Sequence, residues 1–124
     1  MTGSRRARAQ SDAGTPKPSV TRGAGPGGSL LIVESNRTIP LVHFVVAARS
    51  GSATDPRHRE GLTNLAAEMA RRGAGGKTRE ELDAALDALG ATLDVETQTD
   101  ETRLEGDVLA RNLDAYLALV ADVL

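Results

Sequence analysis

Hydrophobic periodicity switches three times along the chain, and each switch narrows the folds open to it. SLLIVE and IPLVHFVVAARSG, separated by the polar SNRT, read as two strands. After the Asp55-Pro56 turn, GLTNLAAEMARRG at 61–73 sets Leu62, Leu65, Ala66 and Met69 at helical spacing, which predicts one apolar stripe ending at Gly73. Thr78 and Glu81 stand at capping-box spacing, so each side chain can satisfy a main-chain donor that the first helical turn leaves unpaired. Leu82, Ala85, Leu86 and Leu89 then line one face of a second helix, and Gly90 supplies its exit. ATLDVET and TRLEGDVL, joined by QTDE, return to strand character. LARNLDAYLALVADVL closes with Leu109, Leu113, Leu117 and Val120 on one helical face. The order ββααββα predicts an α+β fold, with helices on one face of a mixed sheet.

The first 28 residues stand outside this pattern. They are rich in Gly, Pro, Ser, Thr and Arg, have little to bury, and read as a disordered tail before a domain at 29–124. An organelle transit peptide is the alternative, against which stand frequent Pro and Gly and the lack of an amphipathic stripe. The formal charge of −2 hides an asymmetry: 10 of the 15 Lys and Arg but 16 of the 17 Asp and Glu lie beyond residue 28. So acidic a body has no electrostatic footprint for nucleic acid. No apolar run approaches the roughly 20 residues of a membrane span, and no apolar centre of a secretory signal is visible. These features suit a soluble protein, cytoplasmic by default, with a periplasmic or organellar location left open.

With Phe44 and Tyr116 the only aromatics, the core must be built from Leu, Val and Ala. Cysteine is absent, which removes thiolate nucleophiles and Cys-type zinc sites. Residues 41–48 are apolar on both faces except at His43, as in a central strand covered on both sides. His43 has no acidic neighbour in sequence and reads as a packed or partly exposed strand histidine. His58 precedes the first helix and would not share a face with Glu68. GAGGKT at 73–78 follows a helix rather than a strand, so a helix stop and a helix cap explain it better than a phosphate loop.

From Gly51-Ser52 onward the cues fall in a recognisable order: an acidic-Pro turn, Gly61-Leu62, Met69, Gly73, a Thr-capped helix ending in Gly90, then Thr97 and Thr102. Over residues 29–124 the sequence resembles the opening half of an insulinase/pitrilysin-type metallopeptidase domain. The resemblance implies the first half of an α/β roll and, in active relatives, zinc held by H-x-x-E-H on the first helix. In that motif two His grip the metal while the Glu takes a proton from its bound water. Here the matching positions read Asn64-Leu65-Ala66-Ala67-Glu68. Asn64 replaces one ligand with a neutral amide, Glu68 replaces the other with a carboxylate, and the Ala67 methyl accepts no proton. The chain is therefore expected to be inactive as a peptidase, with no cofactor.

The resemblance further implies that Leu93, Asp94, Val95, Glu96 and Thr97 form the strand that receives an extended peptide in relatives. A plain amphipathic strand covering the core is the competing reading. In the family, subunits or halves with a degenerate motif pair with ones whose motif is intact, so the expected partner is an active insulinase-type subunit. Two alternatives stay open, a working zinc endopeptidase and a purely structural core-type subunit. Family domains run to about twice the matched length, so the chain is expected to be a fragment or a truncated product.

Overall fold

The structure, a computed structural model, describes residues 18–124, and the chain divides after Ile39 into two units. In the first, β1 (Ser19–Ala24) pairs antiparallel with β2 (Leu30–Ser35), from Ser19 opposite Ser35 to Ala24 opposite Leu30. The connection is Pro26-Gly27-Gly28, closed by the Gly25 N–H donating to the Ser29 carbonyl at 2.8 Å. Gly27 and Gly28 take φ of 66° and 80°, values a side chain would resist. This corrects the expected tail for residues 19–24. Composition alone indicated disorder there, but Pro-Gly-Gly is turn chemistry, and a ladder of main-chain hydrogen bonds needs no apolar side chains. Residues 1–17 of that tail lie outside the described residues.

The second unit holds the ordered remainder: β3 (Leu41–Ala48), α1 (Leu62–Ala70), α2 (Arg79–Leu89), β4 (Asp94–Thr97), β5 (Thr102–Leu109) and α3 (Leu113–Val123). Apart from the extra strand β1, this is the order that the periodicity predicts, in an α+β fold. Both sheets are antiparallel throughout the described residues, with β3, β5 and β4 side by side in that order. β3 is thus an edge strand and not the central one. Its alternation is visible in burial: Val42, Phe44 and Val46 turn inward, while Leu41, His43 and Val45 are exposed. The centre belongs to β5, whose TRLEGDVL places Leu104, Gly106 and Val108 inward. An apolar run reports burial on both faces only if something covers the second face, and sequence cannot supply that.

α2 and α3 pack on the inner face around Leu82, Leu86, Leu93, Leu104, Val108, Tyr116 and Val120. α2 carries the expected capping box, with the Thr78 N–H donating to Glu81 Oε2 at 2.8 Å and the Glu81 N–H to Thr78 Oγ1 at 3.3 Å. In α3 the buried side is Tyr116, Leu119 and Val120, with Leu113 partly covered, whereas Leu117 is exposed. The predicted Leu109–Leu117 stripe therefore fails, because Leu109 ends β5 and the helix begins only at Leu113. Tyr116 takes the inner place because its hydroxyl finds an acceptor, donating to the Thr92 carbonyl at 3.0 Å. Its ring meets Phe44 edge to face at 6.2 Å. Burial pushes the phenol above its usual range, and Asp107 and Asp94 add to this, so it stays a donor. Gly106 lies beneath, where a Cβ would collide with the Thr92 carbonyl and the Tyr116 hydroxyl.

Candidate functional site at the first helix and the edge strand

α1 starts on an unusual cap. Gly61, with φ of 91°, precedes the helix and offers no side chain, so Asp55 reaches in from the preceding turn. Its carboxylate accepts the Gly61 N–H at 2.7 Å, the Thr63 N–H at 2.9 Å and the Thr63 hydroxyl. The Thr63 hydroxyl is the largest influence and lowers the Asp55 carboxyl below the usual carboxylate range; burial, next in size, opposes it, and the main-chain N–H groups of Thr63, Gly61 and Leu62 add to the lowering. Sequence showed Asp55 only as half of a turn. The missed signal was an acid six residues before an uncapped Gly-Leu-Thr helix start.

The face that α1 turns to the sheet reverses expectation. Ala67 is 6% exposed and is flanked by the half-buried Thr63 and Ala70, while Leu65 and Met69 are 56% and 60% exposed and Leu62 is exposed too. Small residues let the helix lie close against β4, where the Thr97 hydroxyl donates to the Thr63 carbonyl at 3.4 Å. Of the apolar stripe read from sequence, Leu62, Leu65 and Met69 face away from the sheet, and only Ala66 lies on the inboard side. On the inboard side, Ala66 and Ala67 join Val46, Val95, Leu104 and Val123 around an apolar cavity of about 220 Å³.

Successive helical residues are about 100° apart, so Asn64, Glu68 and Arg71 share the flank of α1 opposite Ala66 and the cavity. The Arg71 Nη1 to Asp94 Oδ1 ion pair of 2.9 Å ties β4 to the C-terminal end of that flank. Asn64 and Glu68 are both exposed on it.

The edge itself can be read from its ladder. Thr92 N–H donates to the Asp107 carbonyl at 2.9 Å, and Gln98 N–H to that of Glu101 at 2.8 Å. In an antiparallel pair bonded positions alternate, so Asp94 and Glu96 also bond to β5, and Leu93, Val95 and Thr97 turn their main-chain groups to the open side. Among the described residues those groups have no main-chain partner. The five strand residues singled out in sequence therefore divide into a bonded pair and a free trio. Side chains divide the other way: Val95 and Thr97 are half-buried inward, Asp94 and Glu96 exposed outward.

A zinc ion does not fit this donor set. Asn64 and Glu68 offer an amide oxygen and a carboxylate, and the Ala67 methyl is buried between them. Neither histidine joins them. His43 lies on the outer face with its Nδ1 3.0 Å from Asp107 Oδ1, an acidic neighbour supplied by strand pairing and not by sequence. His58 sits before α1 with φ of 67°, its N–H donating to Glu60. Among the described residues no group of three or more His, Cys, Asp or Glu is placed to hold a metal. In the 73–78 loop, Lys77 Nζ is held by Asp122 at 3.0 Å.

The chain is similar in structure to a peptidase M16 inactive domain from Pseudomonas fluorescens, with a TM-score of 0.79 at 20% identity over 85% of this chain and 26% of that one. It is also similar to a protease from Helicobacter pylori, with a TM-score of 0.74 at 19% identity over 86% of this chain and 25% of that one. The chain thus spans about a quarter of the length of either structure. No curated protein matches it in sequence. The model of the insulinase family, peptidase family M16, matches residues 30–124, and the chain belongs to that family.

Proposed function

We propose that the protein is a non-catalytic member of the insulinase family that holds an extended peptide for an active partner subunit. The observation carrying this reading is the pairing of a disabled motif with an intact edge. Asn64, Ala67 and Glu68 stand where active relatives need two imidazoles and a base, yet the edge at residues 93–97 keeps three residues, Leu93, Val95 and Thr97, whose main-chain groups are free for strand addition. Main-chain hydrogen bonds supply affinity in such binding, and alternate side chains supply selectivity. The inactive M16 domain among the structural neighbours adds support at the level of fold.

Fluorescence anisotropy with a labelled unstructured peptide tests the proposal. Saturable binding is expected, with no change in peptide length. Val95→Pro should abolish it, because proline removes a donor from the open side while the ladder to β5 at Asp94 and Glu96 persists. Retained β-sheet circular dichroism confirms that the variant folds. Cleavage blocked by a chelator would overturn the reading in favour of a working peptidase. Absence of binding, together with a stable complex with an intact-motif subunit, would overturn it in favour of a structural subunit.

A further inference from the structure

We infer that a second copy of this chain pairs with the first through two open strand edges: β2 of one copy lies antiparallel to β3 of the other, and the exchange is reciprocal. It uses neither α1 nor the open side of β4, so it stands apart from the peptide reading. The Gly25 N–H bonds to the Ser29 carbonyl, so by alternation the odd residues of β2 bond to β1, and Leu30, Ile32 and Glu34 turn their main-chain groups to the open side. On β3 the Pro40 carbonyl accepts from the Ala110 N–H, so the even residues bond to β5, and Leu41, His43, Val45 and Ala47 are open. β2 and β3 belong to separate sheets. Neither contains a Pro, Lys or Arg to guard its edge, whereas β1 carries Arg22 and β4 is only four residues long and carries Asp94 and Glu96. A two-stranded ribbon such as β1 with β2 is marginally stable alone, and a third strand is what it lacks.

One register matches charge to charge and apolar to apolar. With Glu34 opposite His43, Ile32 meets Val45 and Leu30 meets Ala47 on one face, while Val33 meets Phe44 and Leu31 meets Val46 on the other. Leu30, Ile32 and Val45, which are 69%, 54% and 45% exposed, are thereby set against apolar partners. The only charged side chain of β2 faces the only titratable one of β3. His43 holds Nδ1 3.0 Å from Asp107 Oδ1, which leaves Nε2 for the Glu34 carboxylate, and as the imidazolium it donates to both. A shift of two residues either way would set the Glu34 carboxylate against Leu41 or Val45.

Sedimentation of the full chain should show a dimer. Ile32→Pro and Val45→Pro each remove an open-side donor while the flanking bonds to β1 and β5 persist, which retained circular dichroism checks. Each should raise the dissociation constant about 25-fold, about fivefold for each of the two hydrogen bonds lost from a two-fold dimer. The chain has no cysteine, so single-cysteine variants report the register. Leu31→Cys and Val46→Cys would face each other as a close pair without hydrogen bonds between them, so on mild oxidation their mixture should give a disulfide-linked dimer and neither variant alone should. A monomeric parent chain would overturn the inference. So would a dimer that survives either proline, or a cross-link formed by Leu31→Cys alone or by Val46→Cys alone, which would mean that like edges pair.

Discussion

Asp55 shows how much one side chain outside a helix can decide. Because α1 begins at a glycine, its first main-chain donors depend on a carboxylate six residues upstream of Gly61. The folded state lowers the Asp55 pKa, so the stabilisation is present above the ordinary carboxylate value of about 3.9 and is lost as pH falls through and below it. Protection of the Gly61 and Thr63 amides, taken relative to the intrinsic exchange rate at each pH, should fall on acidification before that of α2, and Asp55→Asn should remove most of this pH dependence. Exchange at those amides that tracks α2 at every pH would show that Asp55 does not cap the helix. None of this was legible in the turn-forming Asp-Pro dipeptide, because the partners that shift a pKa are placed by the fold.

Comparing α1 with α2 separates a pattern from its direction. Both show an apolar stripe in sequence, and in α2 the stripe is core: Leu82 and Leu86 are buried against Tyr116 and Val120. In α1 the stripe faces out, and alanines and a threonine face in. Leu86→Ala should therefore cost about 2 to 5 kcal/mol in denaturant unfolding, the usual range for a truncated core leucine. Leu65→Ser on α1 should change stability by no more than about 0.5 kcal/mol, as at other surface positions. A loss at Leu65 comparable to that at Leu86 would mean that the outward face of α1 is covered. Periodicity marks the existence of an apolar face, while the neighbour that it packs against, here a close-lying edge strand, decides which face goes in.

For the molecule as a whole, the proposed function joins positions 64, 67 and 68 to the edge strand, and restoring H-x-x-E-H tests that proposal. Asn64→His with Ala67→Glu and Glu68→His would rebuild H-x-x-E-H with both imidazoles on the flank beside β4. Position 67 is buried, so the added Glu should cost stability, about 1 to 3 kcal/mol for overfilling a packed site. Calorimetric titration should show zinc binding tighter than in the parent chain, and peptide cleavage should remain at background, because two ligands leave the metal short of the third that catalytic zinc requires. Zinc-dependent turnover in the triple variant would reveal a third ligand within these 124 residues.

The sequence by itself determined the order of elements from β2 onward, the capped helix α2 and the family. These are local or linear properties, carried by spacing, turn chemistry and residue type. Only the tertiary structure decided that β3 is an edge and β5 the centre, that Tyr116 displaces Leu117 from the core, and that His43 meets Asp107. It alone divided the strand candidates into Asp94 and Glu96, bonded to β5, and Leu93, Val95 and Thr97, open on the other side. The physical reason is common to all of them. Which face is covered, which side of a strand is paired and which charges meet are set by neighbours distant in the chain, and the periodicity of a segment does not name its neighbours.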